Sequence, residues 1–342
     1  MGFHREAPEF DVLVRDAPPQ LVVQWVTGSI LLGVTLTLFA ILLHRHLQVE
    51  SWRVMSVVEN EENSTLNRKI RHKRNTIKIL FMAPVFGTLS WLSLFFLNLA
   101  VPFELVMSMY EAVALWAFLM LMVDLLGGRK KCPEVLQHEP ADKYLAAAPF
   151  FCCVPCLCPK IKIDHKWYII IEIGVLQYLI IKPICATLAL VLYFFGSYEN
   201  GNMDWDHSYP YIRLVEVVSV LIAAYFLFVM WKATRNLLKK HNTSLKFACI
   251  KLVILVSVIQ GFLLGGLVDH EVITDDYVLH ADVIAEMWSA WLLVLEMFCL
   301  TILFFKAFPI SDYYTPVDES FALLKQDNPT PRNSYRQLYT DA

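Results

Sequence analysis

Charge is scarce in this chain: 18% of its 342 residues are Asp, Glu, Lys or Arg, while 57% are hydrophobic and the mean hydropathy is +0.49. That excludes a soluble domain of this size and places the chain among membrane proteins. No Gly/Ser linker, long polar domain or internal repeat interrupts it. No P-loop occurs, which excludes an ATP-driven pump, and neither an HExxH zinc motif nor a Ser/His/Asp arrangement points to a hydrolase. Neither an enzyme nor a nucleic-acid binder is expected, and no cofactor or metal. The first twenty residues are polar, contain Pro8, Pro18 and Pro19, and lack a basic region ahead of an apolar core; an uncleaved first anchor is therefore expected rather than a signal peptide.

What is present is a series of apolar segments. Seven are long enough to span a bilayer, at about 21–43, 77–98, 103–126, 168–196, 211–231, 247–268 and 281–308. They imply an all-α membrane protein, a seven-helix bundle over 21–308, with a short segment 1–20 before it and a disordered tail 309–342 after it. The loops set the orientation. Lys and Arg crowd 44–76, 127–166 and 232–246, whereas 99–102, 197–210 and 269–280 contain neither and carry Glu199, Asp204, Asp206, Asp269, Glu271, Asp275 and Asp276. The positive-inside rule puts the N-terminus outside and the C-terminus in the cytosol. Seven such spans suggest a G-protein-coupled receptor, but the motifs are missing. The third span ends Asp124-Leu125-Leu126-Gly127-Gly128 without Asp-Arg-Tyr, the seventh lacks Asn-Pro-x-x-Tyr, and the outer loops hold no Cys pair.

Four of the eight cysteines, Cys152, Cys153, Cys156 and Cys158, fall within seven residues of a basic loop beside a span. On the cytosolic side disulfides are disfavoured. Zinc would use Cys-x-x-Cys-x-Cys, but no His or second Cys pair lies at the expected distance. Palmitoylation is the better reading, with unmodified small hydrophobes as the alternative.

Ionisable groups inside spans are functional candidates by default. Lys182 and Glu296 lie near the middles of spans four and seven, at similar depth, and are expected to pair. Glu111, Glu172, Gln177 and Gln260 are further interior candidates, while Asp124 and Lys251 are expected to snorkel from inner ends. Arg213 and Glu216 read as a local i,i+3 ion pair. Pro84 and Pro183 would free backbone carbonyls within their spans. The sequons at Asn63 and Asn242 fall in inside loops and are expected to be chance matches. In the tail, Glu319 with Leu323 and Leu324, and Tyr335 with Leu338, match acidic-dileucine and Tyr-x-x-Φ sorting signals read by clathrin adaptors.

Several stretches resemble the organic solute transporter subunit alpha / transmembrane protein 184 family: residues 84–94, Tyr110-Glu111-Ala112, Gly127-Gly128, Leu176-Gln177-Tyr178, Lys182-Pro183, 196–202, 246–252 and Glu296-Met297-Phe298. Their order and spacing, covering about 70–310, carry the likeness. The cysteine run looks like the alpha-subunit branch; the surroundings of Gln177, Asn202 and Glu296 look closer to the other. The resemblance implies a facilitative, ATP- and sodium-independent carrier of bile acids, steroid conjugates and related amphipathic anions, paired with a single-span beta subunit in the plasma membrane. Endosomal or other vesicular membranes are a second location, and a homo-oligomer is a further assembly the reading allows. A non-transporting protein regulating vesicle traffic or membrane composition is the alternative function.

Overall fold

The computed structural model describes residues 18–48, 62–147, 159–196, 198, 208–273 and 279–313. Nine α-helices occur among them: α1 Pro19–Gln48, α2 Glu62–Leu80, α3 Met82–Ser93, α4 Ala100–Leu125, α5 Lys131–His138, α6 His165–Phe194, α7 Tyr209–Thr234, α8 Thr243–Asp269 and α9 Ala281–Ala307. The described residues contain no strand, only an isolated bridge between Asp142 and Ile161. Six stretches are long and apolar enough to cross a membrane: Pro19–Gln48, Ile70–Ser93, Leu97–Leu125, His165–Phe194, Tyr209–Thr234 and Val283–Ala307. The remaining expected span, 247–268, falls on α8, a helix of 27 residues.

Helix termini follow local chemistry. Asp164 caps α6 by accepting the Trp167 amide at 3.0 Å, satisfying one of the N–H groups that a first turn leaves open. The end of α4 turns through Gly127 and Gly128, at φ +101° and +91°. The Gly128 amide reaches back to the Val123 carbonyl at 2.9 Å, and only glycine adopts such φ values without strain. The second expected span is two helices. Pro84 has no N–H for the Leu80 carbonyl and its ring crowds that group, and α2 gives way to α3 at Phe81. Pro183, by contrast, sits inside an unbroken α6, where the Thr187 hydroxyl donates to its carbonyl at 2.8 Å.

The bundle is organised around α4, which packs on α2, α3, α6, α7 and α8. From Ala112 to Leu125 most of its residues are buried, among them Phe118, Leu119, Leu121 and Met122. On one side α6 packs on α7; on the other α9 packs on α1, α3 and α8. The α6–α7 contact is close because residue 174 is glycine: a Cβ there would lie 2.1 Å from the Phe226 ring. Where α1 and α9 begin and α3 ends, indole N–H groups tie the helices together. Trp25 donates to the Leu94 carbonyl (2.9 Å), Trp91 to Ser29 (2.9 Å) and Trp291 to Thr27 (2.8 Å). A groove of about 430 Å³ lies beside them, lined by Pro19, Gln20, Val23, Gln24, Thr27, Trp288 and Trp291.

The fold continues past the expected boundary at 308. A 3₁₀ turn, Ile310–Tyr313, follows α9 and buries Asp312 and Tyr313 against α1, α2 and α8. Asp312 binds Lys246 and accepts from His241 Nδ1 at 3.2 Å; the Tyr313 hydroxyl meets His46 Nδ1 at 2.9 Å and hydrogen-bonds Thr76. The His72 ring lies 5.0 Å from that of Tyr313. The reading of 309–342 as tail missed this because a segment of Pro, Ser, Asp and Tyr has no apolar run to betray burial.

Candidate functional site

Lys182 is brought up by α6 and is 6% exposed. A lysine so enclosed in a bilayer needs a counter-charge, and it finds one on the adjacent helix: Lys182 Nζ lies 2.9 Å from Glu216 Oε2, itself on a residue 7% exposed. The same oxygen lies 3.5 Å from Arg213 Nη1, one turn earlier on α7. Glu111 faces this group from α4. Its carboxylate takes a hydrogen bond from the Tyr178 hydroxyl on α6, and Lys182, Arg213 and Glu216 all act on it electrostatically. Tyr198, Tyr209 and Glu104 surround Arg213. The site therefore joins three helices. It lies toward the end where α6 runs into α7, with Lys182 about 18 Å along the helix from Phe194 at 1.5 Å per residue.

The expected Lys182–Glu296 pair is not formed. Equal depth is necessary for such a pair but not sufficient. Here α6 packs on α7 and α4, while α9 faces α1, α3 and α8, so Glu296 binds Gln260 of α8. Its second oxygen, Oε2, is buried without a hydrogen-bond partner among the described residues. Gln177 turns to α7, donating to the Ser219 carbonyl at 2.8 Å and accepting from the Ser219 hydroxyl at 2.7 Å. Glu172 lies away from Lys182, paired with Arg129 at 2.6 Å. Nearby, burial pushes the Cys132 thiol up to about 12, with the Glu172 charge adding to it.

Of the remaining candidates, Arg213 and Glu216 form the local pair that their spacing predicts, and Glu216 has the additional role that the spacing hides. Asp124 does not snorkel. It is buried and clasped from α2 by Asn75 Nδ2 at 3.0 Å and Arg71 Nε at 3.4 Å. Lys251 is exposed and lies over the rings of Phe228 and Phe247, at 4.6 and 5.7 Å, where the ring faces attract a cation. No group of three His, Cys, Asp or Glu suited to a metal occurs among the described residues. The cysteine run Cys152, Cys153, Cys156, Cys158 and the tail signals at Glu319, Leu323, Leu324, Tyr335 and Leu338 lie outside the described residues.

A helical bundle of membrane-spanning length with a charged, buried three-helix junction defines an integral membrane protein with a polar interior. Comparison sharpens the class: the profile of the family described as organic solute transporter Ostalpha matches residues 54–313. The chain belongs to that solute-transporter family. It is also similar to a transmembrane protein 184 homolog of Dictyostelium discoideum, with 30% identity over 248 residues, covering 72% of this chain and 47% of the relative. The chain thus spans about half the length of that curated relative, whose name is that of the branch opposite to the one the cysteine run suggests. No solved structure matches.

Proposed function

We propose that the chain is the seven-span subunit of a facilitative carrier for amphipathic organic anions such as bile acids and steroid conjugates. It works with a single-span partner, independently of ATP and sodium. Its N-terminus lies outside, α8 is one of the seven crossings, and the plasma membrane is its location. The observation that carries the reading is the buried Lys182, a cation held inside the bundle at a junction of three helices. Intramembrane charges of this kind are costly and mark substrate routes. The buried Lys182, with Arg213 beside the same carboxylate, suits an anionic head group, and the apolar helix faces suit the rest of such a solute. Membership of the Ostalpha family supports transport, and the absence of any nucleotide motif supports facilitation.

A second reading, a non-transporting protein that organises vesicle membranes, rests on the four clustered cysteines and the sorting patterns of the tail. Co-expression with a candidate single-span partner, followed by uptake of labelled taurocholate or a steroid sulfate, separates the two. Partner-dependent, saturable uptake without ATP or a sodium gradient is the expected result. Surface delivery of both chains with no uptake of either probe supports the second reading.

A further inference from the structure

Lys182 is not vacant: Glu216 already occupies it, at 2.9 Å. An arriving anion must displace that carboxylate, and a displaced carboxylate left alone in the membrane interior would cost more than the new contact returns. The structure provides a place for it. One oxygen, Glu216 Oε2, is shared between Lys182 and Arg213, the second cation at 3.5 Å and three residues away on the same helix.

We propose that Glu216 is a stand-in for the substrate's anionic group, and that substrate entry hands it from Lys182 to Arg213. This rests on the carrier reading above and gives that site its selectivity. The exchange matches charges one to one. Before entry Lys182 and Arg213 share Glu216, two cations to one carboxylate; afterwards the substrate's single negative charge neutralises Lys182 and Arg213 holds Glu216. A monoanion such as a carboxylate or sulfate ester fits this count. A neutral solute would leave Lys182 with nothing to replace Glu216, so the pair stays closed against it. The other groups at the site are compatible with the exchange. Glu111 is held by Tyr178 from the α6 side, and Arg213 keeps Tyr209, Glu104 and Tyr198 around it. A shift of Glu216 toward Arg213 therefore strengthens an existing contact rather than making a new one. Arg213, half exposed while Lys182 is buried, is the cation better able to accept a second arrangement.

The exchange makes the two neighbours on α7 act in opposite directions. The test uses purified full-length protein together with the proposed single-span partner in nanodiscs, in chloride-free buffer so that no inorganic anion fills the vacated cation. Binding of a tritiated steroid sulfate and of its neutral parent steroid is measured to saturation. Glu216→Gln removes the stand-in and should tighten the sulfate about tenfold or more, the low end for close charge pairs at interfaces, with no gain for the neutral steroid. Arg213→Gln removes the receiving cation and should weaken the sulfate by a similar factor, with the Lys182–Glu216 pair intact. If Glu216→Gln and Arg213→Gln weaken binding alike while Lys182→Ala abolishes it, the exchange is wrong and the anion site stands. If Lys182→Ala binds the sulfate as tightly as wild type, or wild type shows no saturable binding, the anion site itself is wrong and the exchange falls with it. Should Glu216→Gln not survive purification as a monodisperse species, Arg213→Gln alone decides: unchanged sulfate affinity overturns the exchange.

Discussion

At the scale of residues, the account turns on pairs whose members were visible separately. Lys182 stands out in any hydropathy reading because a charge interrupts an apolar run. Its partner does not, because Glu216 has Arg213 three residues away and local spacing already explains it. Which helices are neighbours decides the pairing, and spacing along one helix cannot report that. The same limit made Asp124 look like an end group when Arg71 and Asn75 enclose it from α2. Removing one member of a buried ion pair leaves the other unpaired, at a cost of about 3–5 kcal/mol. Glu216→Ala strands Lys182 and should therefore lower the thermal stability of detergent-solubilised protein markedly, and Lys182→Ala should lower it less, because Arg213 still holds Glu216. The Lys182→Ala/Glu216→Ala double variant should lose less than the sum of the two. Additive losses would show that the pair is not coupled. A smaller effect belongs to the α6 cap: Asp164→Ala should cost about 1 kcal/mol, seen as a modest fall in the unfolding midpoint.

At the scale of elements, the apolar segments read from hydropathy fall on helices of the structure, six of them long and apolar enough to cross a membrane. What hydropathy missed has physical causes: a break at Phe81 set by Pro84, the short helix Lys131–His138, and the turn Ile310–Tyr313. None of these is long or apolar enough to stand out, and each is recognised only by what it packs against. The α6–α7 contact should fail if Gly174 gains a side chain. Gly174→Leu must push the Phe226 ring aside, so the two helices should separate and a cysteine cross-link between residues 177 and 219 should form less efficiently. Cross-linking equal to that of the Gly174 parent would contradict the close approach. The Ile310–Tyr313 latch gives a pH prediction. Burial would raise the Asp312 carboxyl, but the His241 hydrogen bond and the Lys246 charge outweigh it and hold it below the ordinary value. A depressed carboxyl stabilises the fold above its unfolded value near 3.9 and loses that contribution as pH falls below it. The stability gap between wild type and Asp312→Asn should therefore be constant from pH 5 to 8 and close only below about pH 4. A gap that closes between pH 5 and 7 would assign the latch to histidine titration instead.

At the scale of the whole molecule, the loop charges make the orientation a strong expectation. With 44–76 and 232–246 inside, Asn63 and Asn242 should carry no glycan, and a glycosidase-sensitive mass shift at either would reverse the topology. The same orientation puts Cys152, Cys153, Cys156 and Cys158 in the cytosol, so acyl labelling should disappear when all four become Ser. Family membership and a membrane-spanning helical bundle come from different lines of observation and agree. The proposed transport chemistry rests on the buried Lys182. Its role is tested most directly by flux of a labelled steroid sulfate in proteoliposomes holding the chain and the proposed single-span partner, comparing wild type with Lys182→Ala at equal reconstituted amount. The account predicts that saturable sulfate flux falls to the protein-free level in the variant. Flux equal to wild type would remove Lys182, and the site built around it, from the route.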